Sequence, residues 1–537
     1  MPDDQTLNLS LFLCYDLDMF ASIKRLFVKE NSVRGASIIL VITLALSNIL
    51  GVIRDHFLAQ KIPTDRLDIY FAAFRLPDLI FNVLILGSIA AAFVPVYTNY
   101  LREKGEDEAR KLAQATITVG VCAIIICLVI LYFIMPYVMH LLVPSFNVLK
   151  RAETIRMARW LLLSPLFFTI SYFLGGILNS HKRFLAYSIA PLIYNFSIIV
   201  SVILFADRLG VEAAVIGVII GAALHLLIQL PAAIKVGFVP WPRFDFAHSG
   251  VRRIVKLMVP RAIGLGANQL LLVAFTVLAS AFPGAIAIYT FADNIQTVPS
   301  VIFGTSFATA VFPTLASLSH DKQVDRDAFS HFFTRSARAI LFLLIPASAV
   351  TILLRAQVVR LILGYGFFSW ADTRVATATL GFFALSILAQ GLIPLLARSF
   401  YAMQNTRTPM YASITSIFIS IVFGYVFSRS SVAAFAGVPG LALGFTIGSW
   451  LNFFILFFLI QKKVTVNFSV LFYFLAKIVL LTIVAAFALQ LTKETVSIYF
   501  DIDRVRFLAL QTVLSFAIAT VVYFGGAWLL KIKEIRS

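Results

Sequence analysis

Residues 119–135 read VGVCAIIICLVILYFIM, a run without a charged side chain, and residues 438–460 read VPGLALGFTIGSWLNFFILFFLI, again without a charge. A transmembrane helix needs roughly 20 consecutive apolar residues, whereas a barrel strand alternates apolar and polar positions over about 10. Both stretches are continuously apolar, so they predict helices embedded in lipid, and the barrel is discarded. The composition extends this to the whole chain. Of 537 residues, 60% are hydrophobic and 13% charged, with a mean hydropathy of +0.93, against roughly 45–50% apolar and about 25% charged in a soluble domain. The predicted fold is an all-α integral membrane protein with about fourteen spans between residues 35 and 530.

Six spans fall in 35–236, six in 237–460 and two in 461–537, preceded by a leader over 1–34. The formal charge of +18 would suggest nucleic acid in a soluble protein. Here Lys and Arg concentrate in alternate connections, which is the signature of membrane orientation, so no nucleic-acid partner is implied. The asymmetry places both termini in the cytoplasm. In the leader, Lys24, Arg25, Lys29 and Arg34 fit either an amphipathic segment on the inner leaflet or a solvated basic stretch. Asp3, Asp4, Asp16 and Asp18 are unlike a signal peptide, and Met19 is an alternative start. Cys14, Cys122 and Cys127 have neither disulfide nor metal-ligand spacing.

The first six spans echo the next six. Ala91-Ala92-Phe93-Val94-Pro95 returns as Ala310-Val311-Phe312-Pro313, Gly87-Ser88 as Gly304-Thr305, and Tyr70-Phe71-Ala72-Ala73 as Tyr289-Thr290-Phe291-Ala292, at an offset of about 218 residues. Arg183, opening the fifth span, is echoed by Arg407 just before the eleventh. Two related lobes with a substrate site between them are the usual build of an alternating-access transporter.

A charge near the middle of a membrane helix costs about 2.5–3.5 kcal/mol on insertion scales, so each marks a candidate site. Arg54 and Asp55 lie deep in the first span, one helical turn after Gly51, whose missing side chain leaves room for a neighbouring helix or a head group. Asp68, Arg75 and Asn82 recur every seven residues on one face of the second span, with Asp78 one turn beyond Arg75. Pro77 removes a backbone hydrogen bond there and predicts a kink. Arginines facing a wet cavity can hold a diphosphate bidentately, which implies an anionic substrate. The competing reading makes them structural ion pairs, Arg54 with Asp55 or Asp68 and Arg75 with Asp78. In the second lobe, Asp293, Asn294 and Gln296 offer hydrogen bonding without a cation. Lys477 is expected to snorkel toward the interface.

Motifs for ATP, zinc or serine hydrolysis are missing from the sequence, and the seven histidines are scattered without ligand spacing. The chain reads as a non-enzyme without cofactor or metal.

Three blocks then resemble a known family. Arg54-Asp55, Asp68 with Phe74-Arg75-Leu76-Pro77-Asp78-Leu79, and Ala92-Phe93-Val94-Pro95-Val96 resemble the opening of the MurJ (MviN) lipid II flippase family, within the multidrug/oligosaccharidyl-lipid/polysaccharide exporter superfamily. Arg398 through Pro409, including Arg407, resembles its tenth-to-eleventh span junction, and Tyr289 through Pro299 its eighth span. The resemblance implies a V-shaped pair of lobes moving a lipid-linked peptidoglycan precursor outward. The positions that carry over to substrate binding are Arg54, Asp55, Asp68 and Arg75; Asn82 and Asn294 are further candidates for binding, and Gly51, Pro77, Asp78, Asp293, Arg398 and Arg407 are candidates for a gating or structural role. The chain is divergent, because Asn48, Phe81-Asn82, Leu86 and Asn294 stand where the family carries charged residues. Another polyprenyl-diphosphate saccharide, export of small cations, or a non-transporting scaffold for cell-wall enzymes therefore stay open as alternatives.

Overall fold

The computed structural model describes residues 33–86, 92–319, 326–462, 464, 468–532 and 534, and every regular element among them is a helix. The leader over 1–32, with Cys14 and Met19, and the Gly87-Ser88 pair lie outside the described residues. The first half holds α1 (Val33–Lys61), α2 (Thr64–Phe81), α3 (Val94–Glu103), α4 (Gly105–Leu142), α5 (Val148–Leu161), α6 (Leu163–Ser180), α7 (Phe184–Leu209), α8 (Glu212–Leu227) and the short α9 (Leu230–Lys235). The second holds α10 (Ser249–Ala279), α11 (Ala285–Pro299), α12 (Ser306–Leu318), α13 (Arg326–Ile362), α14 (Trp370–Ala384), α15 (Ile387–Ala402), α16 (Arg407–Ser428) and α17 (Val438–Gln461). Two further helices, α18 (Phe468–Tyr499) and α19 (Val505–Leu529), pair with each other and pack on α13.

Among the described residues eleven spans are long and apolar enough to cross a membrane, and α14 with α15, bent by 41° at their junction, makes a twelfth. That number covers the described residues, and the expected spans 67–100 and 253–281 are each described only in part. Helix α2 continues regularly through Pro77 into a π-helical turn at Asn82–Leu86, and α3 follows from Val94. Helix α10 carries Arg252, Arg253 and Lys256 near its start and is apolar over Gln269–Ala279.

The halves repeat one construction. A π-helical turn at Ser300–Thr305 follows α11 as Asn82–Leu86 follows α2. Helix α1 packs on α7 as α10 packs on α16, and α7 pairs with α8 as α16 pairs with α17. The fourth-span ends share a cap: Arg183 N donates to Leu178 O and Asn405 N to Phe400 O, both across a left-handed residue, Lys182 or Gln404. Such a bond satisfies a carbonyl that the ending helix would leave open.

Lipid tails are as apolar as leucine, so close helix packing rather than water exclusion holds such a bundle together. Gly217 and Gly221 of α8 lie against Ser197, Ser201 and Tyr194 of α7. In the second half Gly444 and Gly448 of α17 meet Ser416, Ser420 and Gly424 of α16, so closely that a Cβ on Gly448 would lie 2.6 Å from the Ser416 carbonyl oxygen. Serine hydroxyls complete the first crossing, Ser197 Oγ donating to Gly217 O at 3.1 Å and Ser201 Oγ to Ala213 O at 2.7 Å.

Candidate functional site

The deep charges gather where the two halves touch. Arg54 and Asp55 sit in the last two turns of α1, and Arg54 Nε and Nη2 both donate to Asp55 Oδ1, at 3.0 and 2.8 Å. The remaining Arg54 nitrogen, Nη1, donates to Asn195 Oδ1 of α7 at 3.1 Å. The other carboxylate oxygen of Asp55 accepts from Asn294 Nδ2 of α11 at 2.7 Å, so Asp55 joins an arginine of its own half to an amide of the other. Its side chain is only 3% exposed, which leaves these partners in place of water.

Asp68 is fully buried and holds the start of α11. Its Oδ2 accepts from Gly284 N at 2.8 Å and its Oδ1 from Ala287 N at 3.0 Å, with Lys150 Nζ 3.3 Å from Oδ2. A carboxylate on the first-turn amides of a helix meets both open N–H groups and the positive end of the helix dipole. Gly284 has a φ of 73°, and a Cβ there would meet Thr64. Three more contacts close the same end. Thr64 Oγ1 donates to Asp372 Oδ2 at 2.9 Å, Phe367 N donates to Gln60 O at 3.2 Å, and His56 Nδ1 lies 2.6 Å from Ile362 O.

Arg75 also reaches across, but to neutral groups. Its Nε donates to Thr276 Oγ1 of α10 at 2.9 Å and its Nη2 to Thr290 Oγ1 of α11 at 3.3 Å, and it has no ion pair among the described residues. Asp78 accepts from Asn82 Nδ2 at 2.7 Å instead of pairing with Arg75. The seven-residue face read from the sequence is therefore divided: Asp68 and Arg75 point into the second half, while Asn82 turns back onto Asp78. Arg54, Asp78 and Asn82 line one cavity of about 280 Å³ in the first half, walled by Phe81, Phe168, Tyr172 and Tyr194. It shares Tyr172, Pro191 and His225 with a neighbouring cavity of about 460 Å³. A Cβ on Gly51 would meet nothing within 4 Å, so the space expected beside Arg54 is open.

The remaining candidates sit in the second half. Asp293 Oδ1 accepts from Gln296 Nε2 at 2.8 Å, and Gln296 Oε1 accepts from Gln390 of α15 at 2.8 Å. Arg398 Nη1 donates to the Thr305 carbonyl at 3.3 Å, at the end of the second π-helical turn. Arg407 is exposed at the first residue of α16, and Lys477 Nζ lies 4.4 Å from the Tyr473 ring centroid. Residues that sequence reasoning missed are Lys150, Asn195, Thr276 and Thr290. Each is unremarkable in its own segment, and only the fold brings it to a buried charge.

Fold and site together define a polytopic α-helical membrane protein whose two similarly built halves meet over buried charge. The chain superimposes with a TM-score of 0.76 on a solved structure described as lipid II flippase MurJ in an inward closed conformation, covering 92% of this chain and 99% of that one at 22% identity. It is 25% identical over 91% of its length to a probable lipid II flippase MurJ of Buchnera aphidicola, of which 95% is covered. It is 26% identical over 78% of its length to the lipid II flippase MurJ of Burkholderia cenocepacia, of which 82% is covered. The family model described as lipid II flippase MurJ matches residues 64–510, and the chain belongs to that family.

Proposed function

We propose that this protein carries lipid II, a polyprenyl-diphosphate-linked sugar and peptide, from the cytoplasmic to the periplasmic leaflet of a bacterial inner membrane, without catalysing a covalent reaction. The observation that carries the reading is Arg75. Its guanidinium lies on α2 and is held by two threonine hydroxyls of the opposite half in place of a carboxylate. When the halves part those hydroxyls withdraw, and a diphosphate can replace them with charge-assisted bonds roughly twice as strong as neutral ones. Arg54 supplies the second cation from the first-half cavity, where its Nη1 exchanges the neutral Asn195 for a phosphate oxygen. Asp55, Asp68 and Asn294 complete the set by holding Arg54 and the contact between halves, and Asn82 faces the substrate from the cavity that Arg54 lines; Gly51, Pro77, Asp78, Asp293, Arg398 and Arg407 shape and gate it.

In the proposed orientation both termini are cytoplasmic, so the closed end formed by Gln60, Thr64, Asp68, Gly284 and Asp372 faces the periplasm. The polyprenyl tail stays in lipid beside α13, α18 and α19, where an apolar cavity of about 150 Å³ is lined by Val350, Ala485 and Phe516. A different lipid-linked saccharide is the second reading, favoured by the neutral Asn82 and Asn294 at the site.

The test is complementation. A bacterial host depleted of its own lipid II flippase receives the wild-type chain, Arg54→Ala or Arg75→Ala, and viability and precursor translocation are followed. Rescue by wild type with loss in both inserted variants is expected. Failure of inserted wild type turns the assignment toward another lipid-linked glycan or a scaffold.

A further inference from the structure

A second basic cavity lies away from the proposed transport site, where the end of α13, the start of α14 and the segment leading into α19 converge. Its volume is about 390 Å³, and Arg355, Arg360 and Arg374 all line it together with Gln357 and Trp370. Three arginines in one wall repel one another unless an anion joins them. Their present partners do not supply it fully. Arg360 Nη2 is 3.2 Å from Asp503 Oδ1, a carboxylate that is itself 86% exposed, and its guanidinium lies over the Trp370 ring at 5.5 Å. Arg355 Nη1 donates to the Ile352 carbonyl of its own helix at 2.8 Å. Arg374 is exposed, with no hydrogen-bond or ion-pair partner among the described residues.

The amide of Gln357 adds an independent sign. The residue is 8% exposed, lines the cavity, and its Oε1 is buried without a hydrogen-bond partner. A buried amide without partners is costly, and turning it end for end presents Nε2 as a donor to a bound oxyanion. The surroundings say where the anion comes from. The walls are the ends of membrane-crossing helices, and Phe367, Trp370 and Tyr499 project there with exposures of 58%, 62% and 77%, as aromatic side chains do at a membrane–water boundary.

We propose that this cavity binds the phosphate of an anionic membrane lipid, the head group seated among Arg355, Arg360 and Arg374 and its acyl chains running down the outside of α13 and α19. Basic pockets between membrane helices take lipid phosphates in this way. The site goes beyond the transport reading and does not depend on which lipid-linked glycan is moved.

The test is native mass spectrometry of the full chain released from detergent with equal amounts of phosphatidylglycerol and phosphatidylcholine, for wild type, Arg374→Ala, the double variant Arg355→Ala/Arg374→Ala, and Gln357→Leu. Arg243→Ala, on the exposed segment between α9 and α10, controls for charge alone, and thermal melts confirm that each variant is folded. Wild type and the control should retain one phosphatidylglycerol in preference to phosphatidylcholine, and the folded double variant should bind it about tenfold more weakly or less. Equal retention by wild type and the arginine variants overturns the site. If inorganic phosphate in excess stabilises wild type without lipid, while phosphatidylglycerol adds nothing, a soluble anion is the ligand and the lipid is overturned as its source.

Discussion

Asp68 shows how much one carboxylate does when burial removes its alternatives. It belongs to α2, yet two of its bonds are to backbone N–H groups at the start of α11, and Lys150 of a third helix lies on the same oxygen. Cap bonds of this kind contribute about 0.5–2 kcal/mol each in helix hosts. Asp68→Ala removes both and leaves Lys150 paired to Asp65 alone, so we predict that the two halves separate more often at this end. Spin labels at Pro63→Cys and Phe367→Cys, both exposed, would report it: one short distance in wild type, a broadened or longer distribution in Asp68→Ala. An unchanged distribution would mean that Gln60, Thr64 and His56 hold the end without Asp68. Asn294→Ala removes the single amide that Asp55 receives from the other half, and the same labels should move less than in Asp68→Ala.

Among the elements, the π-helical turns and the glycine crossings carry the architecture. Each π-helical turn widens a membrane helix by one residue and opens a backbone carbonyl, and in the second half Arg398 meets one of these at Thr305. Gly304 in that turn lies against Gly391 of α15, where a Cβ would fall 2.6 Å from the Gly391 carbonyl oxygen. Backbone cannot yield there, so Gly304→Val is expected to cost about 1–3 kcal/mol or more through overpacking. Gly444→Leu, in the α16–α17 crossing, should behave alike. Gly525→Ala is the control, since a Cβ there meets nothing within 4 Å. Thermal unfolding of the purified variants in one detergent tests this, and a melting point for Gly304→Val equal to that of Gly525→Ala would sink the packing argument.

At the scale of the whole molecule, transport requires that the closed end open and reclose. Gln60 and Phe367 already touch through a backbone hydrogen bond, close enough for a disulfide between substituted cysteines. In a chain whose Cys14, Cys122 and Cys127 are replaced by serine, Gln60→Cys/Phe367→Cys should cross-link on mild oxidation and stop precursor translocation, with recovery after reduction. Continued transport by the fully cross-linked protein would show that this end need not open.

The sequence by itself determined that this is a helical membrane protein, because an apolar run of span length has no other stable form in lipid. It also determined the internal repeat and the identity of the costly groups, since a charge inside a span is visible against its neighbours. Tertiary structure alone decided what each charge does. Asp68 meets amides more than two hundred residues away, Arg75 finds Thr276 and Thr290, and Asp55 finds Asn294, all through helices that no local pattern pairs. The π-helical turn at Asn82–Leu86 was likewise invisible, because its residues read as ordinary helix. Helix formation is local and leaves its mark along the chain, whereas the partner of a buried charge is set by which helices pack together.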